Sequence, residues 1–286
     1  MRGQRVTGAA EFRERAGPLL EADELRHSIP LGVLVQIERG GRYAEHYLWL
    51  VEDRGRPVAC GMMTPPFHLL VAGQGGEALD ELVAAVRGDG VAVPGVTGFG
   101  PETEEFAARW ASASGATVSP VMSMRMYATS EVATVPEAEG AMRVAGEADR
   151  ALLSGWAQAF ALETGLREGP AEIARSVEGR VGADPGIVIW EAAGVPVTLA
   201  GATVSSPGIA RVGPVYTPPE QRRRGYGAAV TAACTADGLA RGAERMVLFT
   251  DLANPTSNSI YQRIGYRPVS DRRTIRFKPS TKPQGV

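Results

Sequence analysis

Cysteine and histidine are scarce in this chain, with Cys60 and Cys234 its two thiols and His27, His46 and His68 its three imidazoles. The thiols lie far apart among apolar or small neighbours and outside any C-x-x-C spacing. That pattern suits buried free cysteines rather than a disulfide frame or a zinc site. The histidines show neither H-x-x-x-H nor H-E-x-x-H spacing, which argues against a histidine-rich metal centre. A basic surplus is missing too. The formal charge is -2 and the sequence pI about 6.0, whereas dedicated binders of nucleic acid or anionic membrane carry excess positive charge over a whole face. No run approaches the roughly 18 uninterrupted apolar residues of a membrane span, and the opening "MRGQRVTGAAEFRERAG" has no apolar signal-peptide core. The expected setting is soluble, reducing and cytoplasmic, with no metal, nucleic acid or membrane as partner. Oligomeric state is unreadable.

What is present fills two ordinary domains. The 286 residues are 44% hydrophobic, enough to bury real cores. "AEFRERAGPLLEADELRHSIPLGVLVQI" reads as helical, with "LGVLVQI" able to continue the helix or start a strand. "HYLWLVED", "GRPVACGMMT" and "FHLLVAG" form a meander of short strands. "GEALDELVAAVRG" has helical spacing, "PGVTGFG" is a strand, "PETEEFAARWASASG" a helix and "TVSPVMSMRMYATS" an extended run. A polar linker is expected from Val132 to Gly140. After it "DRALLSGWAQAFALETG" and "AEIARSVEGRVG" are helices, and "GIVIWEAAG", "VPVTLAGATVSS" and "GIARVGPVYT" are strands. "GYGAAVTAACTADGLARG" is a helix, "AERMVLFTD" a strand, "NPTSNSIYQRIG" a helix and "YRPVSDRRTIRF" the last strand. Both halves therefore run helices, three-stranded meander, helix, strand, helix, strand. The expected domains are residues 1–135 and 136–286.

One stretch carries chemistry. "QRRRGYGAAV", Gln221 to Val230, sets three arginines before Gly-x-Gly and a helix. It fails as a dinucleotide fingerprint because Val230 stands where Gly or Ala belongs and the glycines lie far from the strand. It is no P-loop, lacking Gly-Lys-Ser/Thr, and a basic patch would extend further along its element. As a strand, proline corner, arginines, glycines and helix, it makes physical sense as an anion cradle. Free amides and the positive end of the helix dipole attract anionic oxygen. Gly225 and Gly227 allow close approach to the backbone, and Arg222, Arg223 and Arg224 add charge.

Val215 to Ala228, "VYTPPEQRRRGYGA", resembles the acyl-CoA-binding motif of the GCN5-related N-acetyltransferases, V-x-P-x-x-R-x-x-G-x-G/A. Pro219, Arg222, Gly225 and Gly227 match it, with Thr217 at the valine position. Downstream, "NPTSNSIYQRIGYRP" is similar to the family's second signature, filled by Asn254, Ser257, Asn258, Tyr261, Gly265 and Tyr266. The resemblance implies an α/β fold class with a mixed sheet: two tandem acyl-CoA N-acyltransferase folds, each a mostly antiparallel sheet flanked by helices. It implies that "GPVYT" splays from "RMVLFTD", leaving a wedge for pantetheine. Val215, Tyr216 and Thr217 would line that wedge, and an amide near Val215 or Tyr216 would polarise the thioester carbonyl. The pyrophosphate would rest on Arg222, Arg223, Arg224, Gly225, Tyr226, Gly227 and Ala228. Asn254 and Asn258 would touch the pantetheine arm, and Tyr261 would protonate the departing thiolate. Acetyl-CoA is thus the expected co-substrate and an amine the acceptor.

Structural alternatives stand beside these roles. Tyr261 lies between Ile260 and Ile264, as a core tyrosine would, and Asn254 before Pro255 suits a helix N-cap. Glu163 is the tentative base, with Glu191 and Asp251 as other acidic candidates; a water chain would serve equally. Cys234 within its helix argues against an acyl-enzyme. In the first half, "TPPFHLLVAGQGGEALDELV" keeps prolines and glycines but has no arginine, implying a degenerate domain without a CoA site. A non-catalytic acyl-CoA sensor or adaptor is the competing function.

Overall fold

The computed structural model describes residues 1–40, 43, 45–133, 137–165, 169–183 and 186–278. The expected domain boundary between 135 and 136, and residues 134–136 of the expected linker, lie outside them. In chain order come β1 (Arg2–Val6), α1 (Ala9–Glu21), α2 (Ser28–Arg39), β2 (Tyr47–Asp53), β3 (Arg56–Met63), β4 (Leu69–Gly73), α3 (Glu77–Gly88), β5 (Gly95–Phe99), α4 (Gly100–Ser114) and β6 (Thr117–Thr129). There follow β7 (Ala141–Val144), α5 (Arg150–Thr164), α6 (Pro170–Glu178), β8 (Ile187–Ala192), β9 (Val195–Ser206), β10 (Ile209–Tyr216), α7 (Tyr226–Ala240), β11 (Arg245–Asp251), α8 (Pro255–Ile264) and β12 (Arg267–Lys278).

These elements form two compact units. One is Met1–Arg125 with the chain from Ser270 onward; the other is Met126–Val269. The last strand is thus split: most of β12 completes the first unit, while the end of β6, Met126 to Thr129, serves the second. Sequence proximity does not dictate that exchange. A strand joins whichever sheet edge satisfies its amides and buries its apolar face, and β12 finds its register on β5, with Arg272 opposite Phe99 and Arg276 opposite Gly95.

In the first unit the strand order is β1-β2-β3-β4-β5-β12. Every neighbouring pair is antiparallel except β4 with β5. The run "YLWLV" in β2 is apolar throughout because both of its faces are covered. Leu48 and Leu50 meet Phe12, Leu20, Leu31 and Leu34 of α1 and α2, whereas Trp49 and Val51 meet the side of α3 and α4. Each large side chain so buried stabilises the unit by about 1.5–3 kcal/mol. The ambiguous "LGVLVQI" resolves to helix α2, whose Leu31 and Leu34 close the layer.

In the second unit the order is β6-β11-β10-β9-β8-β7. The pairs from β7 to β10 are antiparallel and β10 with β11 is parallel. The pleat of β8 repeats the two-faced burial: Ile187 and Ile189 turn to α5 and α6, and Val188 and Trp190 turn to α7. The short strands β1 and β7 have no clear period of their own. Pairing with β2 and β8 makes them strands.

An ion network fastens the start of the second unit. Arg143 on β7 donates to both oxygens of Asp149 at 2.7 and 2.8 Å and to Glu191 on β8 at 2.6 Å. Asp149 also accepts from the Gly146 amide at 2.8 Å. The Arg143 hydrogen bonds hold the Asp149 carboxyl below its ordinary range. A depressed folded-state value gives stability that is complete above the ordinary carboxylate pKa and disappears as pH falls through the folded one. Asp149→Asn should therefore cost about 1–3 kcal/mol near neutrality. Urea unfolding at a series of pH values should show its difference from the unaltered protein closing in acid.

Candidate functional site

The site grows from the parting of a parallel pair. β10 and β11 pair only from Ile209 to Arg211 against Arg245 to Val247, yet the strands run on to Tyr216 and Asp251. Beyond Arg211 one edge of β10 faces a wedge, as expected of "GPVYT" and "RMVLFTD". The other edge is held by β9. There the register jumps from Val212 opposite Ala202 to Val215 opposite Ala200, so Gly213 and Pro214 bulge. Arg180, just after α6, donates Nη2 to the carbonyls of Gly213 at 3.0 Å and Ala202 at 3.3 Å. Gly201 leaves room for it, since a Cβ there would stand 1.9 Å from that nitrogen. Thr198 on β9 donates to the Tyr216 carbonyl at 2.7 Å and lies 2.8 Å from the Thr217 hydroxyl. The end of β10 is thereby held at Val215, Tyr216 and Thr217. No motif pointed to Thr198 or Arg180, because each acts through the backbone of a distant strand.

After Tyr216 the chain turns through Pro218 and a short 3-10 turn at Pro219–Gln221. Arg223 and Gly225 are left-handed, with φ of 63° and 81°, and Gly225 caps α7. The amides of Ala228 and Ala229 donate to the Gly225 carbonyl. Among the described residues, the amides of Arg223, Arg224, Gly225, Tyr226 and Gly227 have no backbone acceptor. Arg222 to Gly225 are exposed, while Tyr226 and Ala228 are buried and root the helix. Gly227 packs tightly, a Cβ there lying 3.3 Å from the Thr217 hydroxyl, and a Cβ on Gly225 would lie 3.6 Å from the Glu137 carbonyl. Unpaired amides at the positive end of a helix are an anion site.

The arginines divide. Arg222 folds back over the end of β10, its Nε donating to the Thr217 carbonyl at 2.9 Å and its Nη2 meeting the Glu163 oxygens at 2.8 and 2.7 Å. Arg224 reaches Gln221 at 3.3 Å. Glu163 also accepts from the Tyr216 hydroxyl at 3.3 Å. Burial, and then the Glu163 carboxylate, raise that phenol above its ordinary value. The other acidic candidates are engaged as well. Glu191 pairs with Arg143, and Asp251 accepts from the Ala253 amide at 2.9 Å.

On α8, Asn254 caps the helix, accepting from the Ser257 amide at 3.0 Å. Tyr261 is half-buried and its ring meets Tyr266 edge-on at 6.3 Å. Burial pushes the Tyr261 hydroxyl up to about 12, against a smaller pull from a Ser257 hydrogen bond. It is therefore protonated through neutral pH. Burial likewise pushes the Cys234 thiol up to about 12, which leaves it a poor nucleophile.

Asn258 is engaged on three sides within the fold. Its Nδ2 donates to the carbonyls of Asp251 at 2.9 Å and Asn254 at 2.7 Å, and its Oδ1 accepts from the Tyr127 hydroxyl at 2.8 Å. Both side-chain hydrogens are used in tying β11, α8 and β6 together. Asn258→Ala should then destabilise the fold by about 1–3 kcal/mol in chemical denaturation.

The first unit opens the same wedge differently. β4 and β5 pair only at Leu69 and Leu70 before parting, and a small recess open to solvent lies there, lined by Val71, Gly73, Gly98, Phe99 and Glu102 among others. The helix start beside it, however, already holds an anion. The Gly76 amide donates to Glu105 at 3.3 Å, and Arg109 steadies that carboxylate at 3.2 Å. The first turn of α3 adds Glu77 and Asp80.

Among the described residues no helix is long and apolar enough to cross a membrane, and no group of metal-ligating side chains gathers. Residues 192–275 match the family described as FR47-like protein. No curated protein matches the chain. A solved structure of a Drosophila protein superposes with a TM-score of 0.69 at 15% identity, covering 97% of this chain and 98% of its own. An acetyltransferase of the GNAT family from Colwellia psychrerythraea gives 0.64 at 12% identity, over 98% and 100%. A tandem GNAT protein from the clavulanic acid biosynthesis pathway gives 0.56 at 15% identity, again over 98% and 100%. The chain thus shares the fold of these structures over nearly its whole length, and residues 192–275 match the FR47-like family.

Proposed function

We propose that this protein is an N-acetyltransferase that moves the acetyl group of acetyl-CoA to a primary amine, with the donor bound in the second unit. One observation carries the reading: the wedge between β10 and β11 opens beside five backbone amides that have no backbone acceptor among the described residues. A molecule that is extended and amide-bearing at one end and anionic at the other matches that pair of features. The first unit has a wedge too, but Glu105 occupies its helix start, so the reading assigns donor binding to the second unit alone.

In the proposed reaction the free edge of β10 at Val215 to Thr217 receives the pantetheine arm as an added strand. An amide there polarises the thioester carbonyl. The amine nitrogen attacks the carbonyl carbon directly, the C–S bond breaks, and Tyr261 gives its proton to the thiolate. A hydroxyl kept neutral by burial suits that donation. In this reading the amine gives up its proton through water. Asn254 caps α8, and Asn258 contributes by holding α8 against β11.

Two measurements test the reading. Gly225→Val forces a β-branched residue into a left-handed φ, and Gly227→Val drives a side chain against Thr217. Each should abolish acetyl-CoA binding in calorimetry, whereas Arg224→Ala, losing one exposed charge, should weaken it by about two- to five-fold. Equal losses from all three would contradict a cradle built on amides. Tyr261→Phe should lower kcat in a thiol-release assay about 100-fold or more with little change in KM for acetyl-CoA. Any alkaline fall due to Tyr261 should lie near its raised value rather than the phenol's usual value of about 10. Tight acetyl-CoA binding without turnover across a panel of amines would overturn catalysis in favour of a sensor.

A further inference from the structure

Arg222 has the strongest claim of the three arginines on an incoming anion, yet its side chain is already engaged. Its Nε is on the Thr217 carbonyl and its Nη2 is on both oxygens of Glu163, which comes from the last turn of α5. The guanidinium carbon lies 5.9 Å from the centroid of the Tyr216 ring, and the Tyr216 hydroxyl donates to the same carboxylate. The contact joins positions 59 apart in the chain through side chains alone. Both partners are open to solvent, with 42% and 45% of their side-chain surface exposed.

Carboxylate and phosphate oxygens present the same target to a guanidinium: planar or near-planar acceptor pairs that bind its forked donors. An exposed pair of this kind is weak and exchangeable. Resting on the acyl-CoA reading above, we propose that Glu163 is an internal counter-ion of Arg222, and that the diphosphate of acyl-CoA displaces it while settling on the amides of Arg223 to Gly227. Glu163 is then a positioning residue. It parks Arg222 against Tyr216 in the free protein, lowers affinity for the donor, and ties the end of α5 to the loop until the donor arrives.

The test compares CoA with pantetheine, which lacks the diphosphate. Glu163→Gln should bind CoA about two- to five-fold more tightly than the unaltered protein and pantetheine no differently. Arg222→Ala should bind CoA more weakly, and in that background Glu163→Gln should bring no gain, as a coupled pair requires. An equal or weaker affinity of Glu163→Gln for CoA overturns the proposal. So does a gain that persists without Arg222, or one shared by pantetheine, since either would reflect a lost negative charge or a moved helix. These outcomes leave the acyl-CoA reading standing. Failure of both the unaltered protein and Glu163→Gln to bind CoA overturns that reading, and the counter-ion with it.

Discussion

A parallel pair of strands that separates after three residues is the constraint on which the second unit depends. A backbone hydrogen-bond ladder cannot simply stop inside a protein without leaving polar groups to be satisfied elsewhere. Here β9 holds the far edge of β10 through Thr198 and the braced bulge at Gly213, so the near edge can stay open. The separation also sets where α7 begins. The chain leaving Tyr216 turns through Pro218, Arg223 and Gly225 and leaves five amides without a backbone acceptor among the described residues. Slot and anion site are thus two results of one departure from regular pairing.

The first unit shows what happens when the same departure is met by a different side chain. Its parallel pair also separates early, and its helix also starts after glycines. Glu105 then accepts from the Gly76 amide, and acidic residues crowd the first helical turn. A carboxylate at a helix start is electrostatically satisfying, and it repels a second anion. The lack of arginine in this segment is the part visible in the string "QGGEAL". The occupation of the amide by Glu105, from a helix later in the chain, is not.

The second unit carries a related contact in a reversible form. Glu105 lies on the helix start itself, whereas Glu163 meets an arginine side chain and leaves the amides clear. That difference separates a filled site from an open one. It depends on which neighbouring helix brings a carboxylate within reach, α4 in the first unit and α5 in the second.

Local chemistry was legible in the sequence. Gly225 and Gly227 mark a tight helix start because backbone conformation there follows from the residues themselves. Apolar runs such as "YLWLV" and "IVIW" announced strands, and only the fold showed that both their faces are covered. The spacing from Asn254 to Tyr266 located α8 and its cap. Tertiary structure alone decided the rest. Strands β1 and β7 exist through their partners, and β12 divides between the units by register. Asn258 braces Asp251 and Tyr127, and Glu163 pairs with Arg222. The physical reason is shared: backbone and side-chain hydrogen bonds alike go to the groups that folding brings near, and positions separated by 59 or 131 residues leave no periodic trace of one another in the chain.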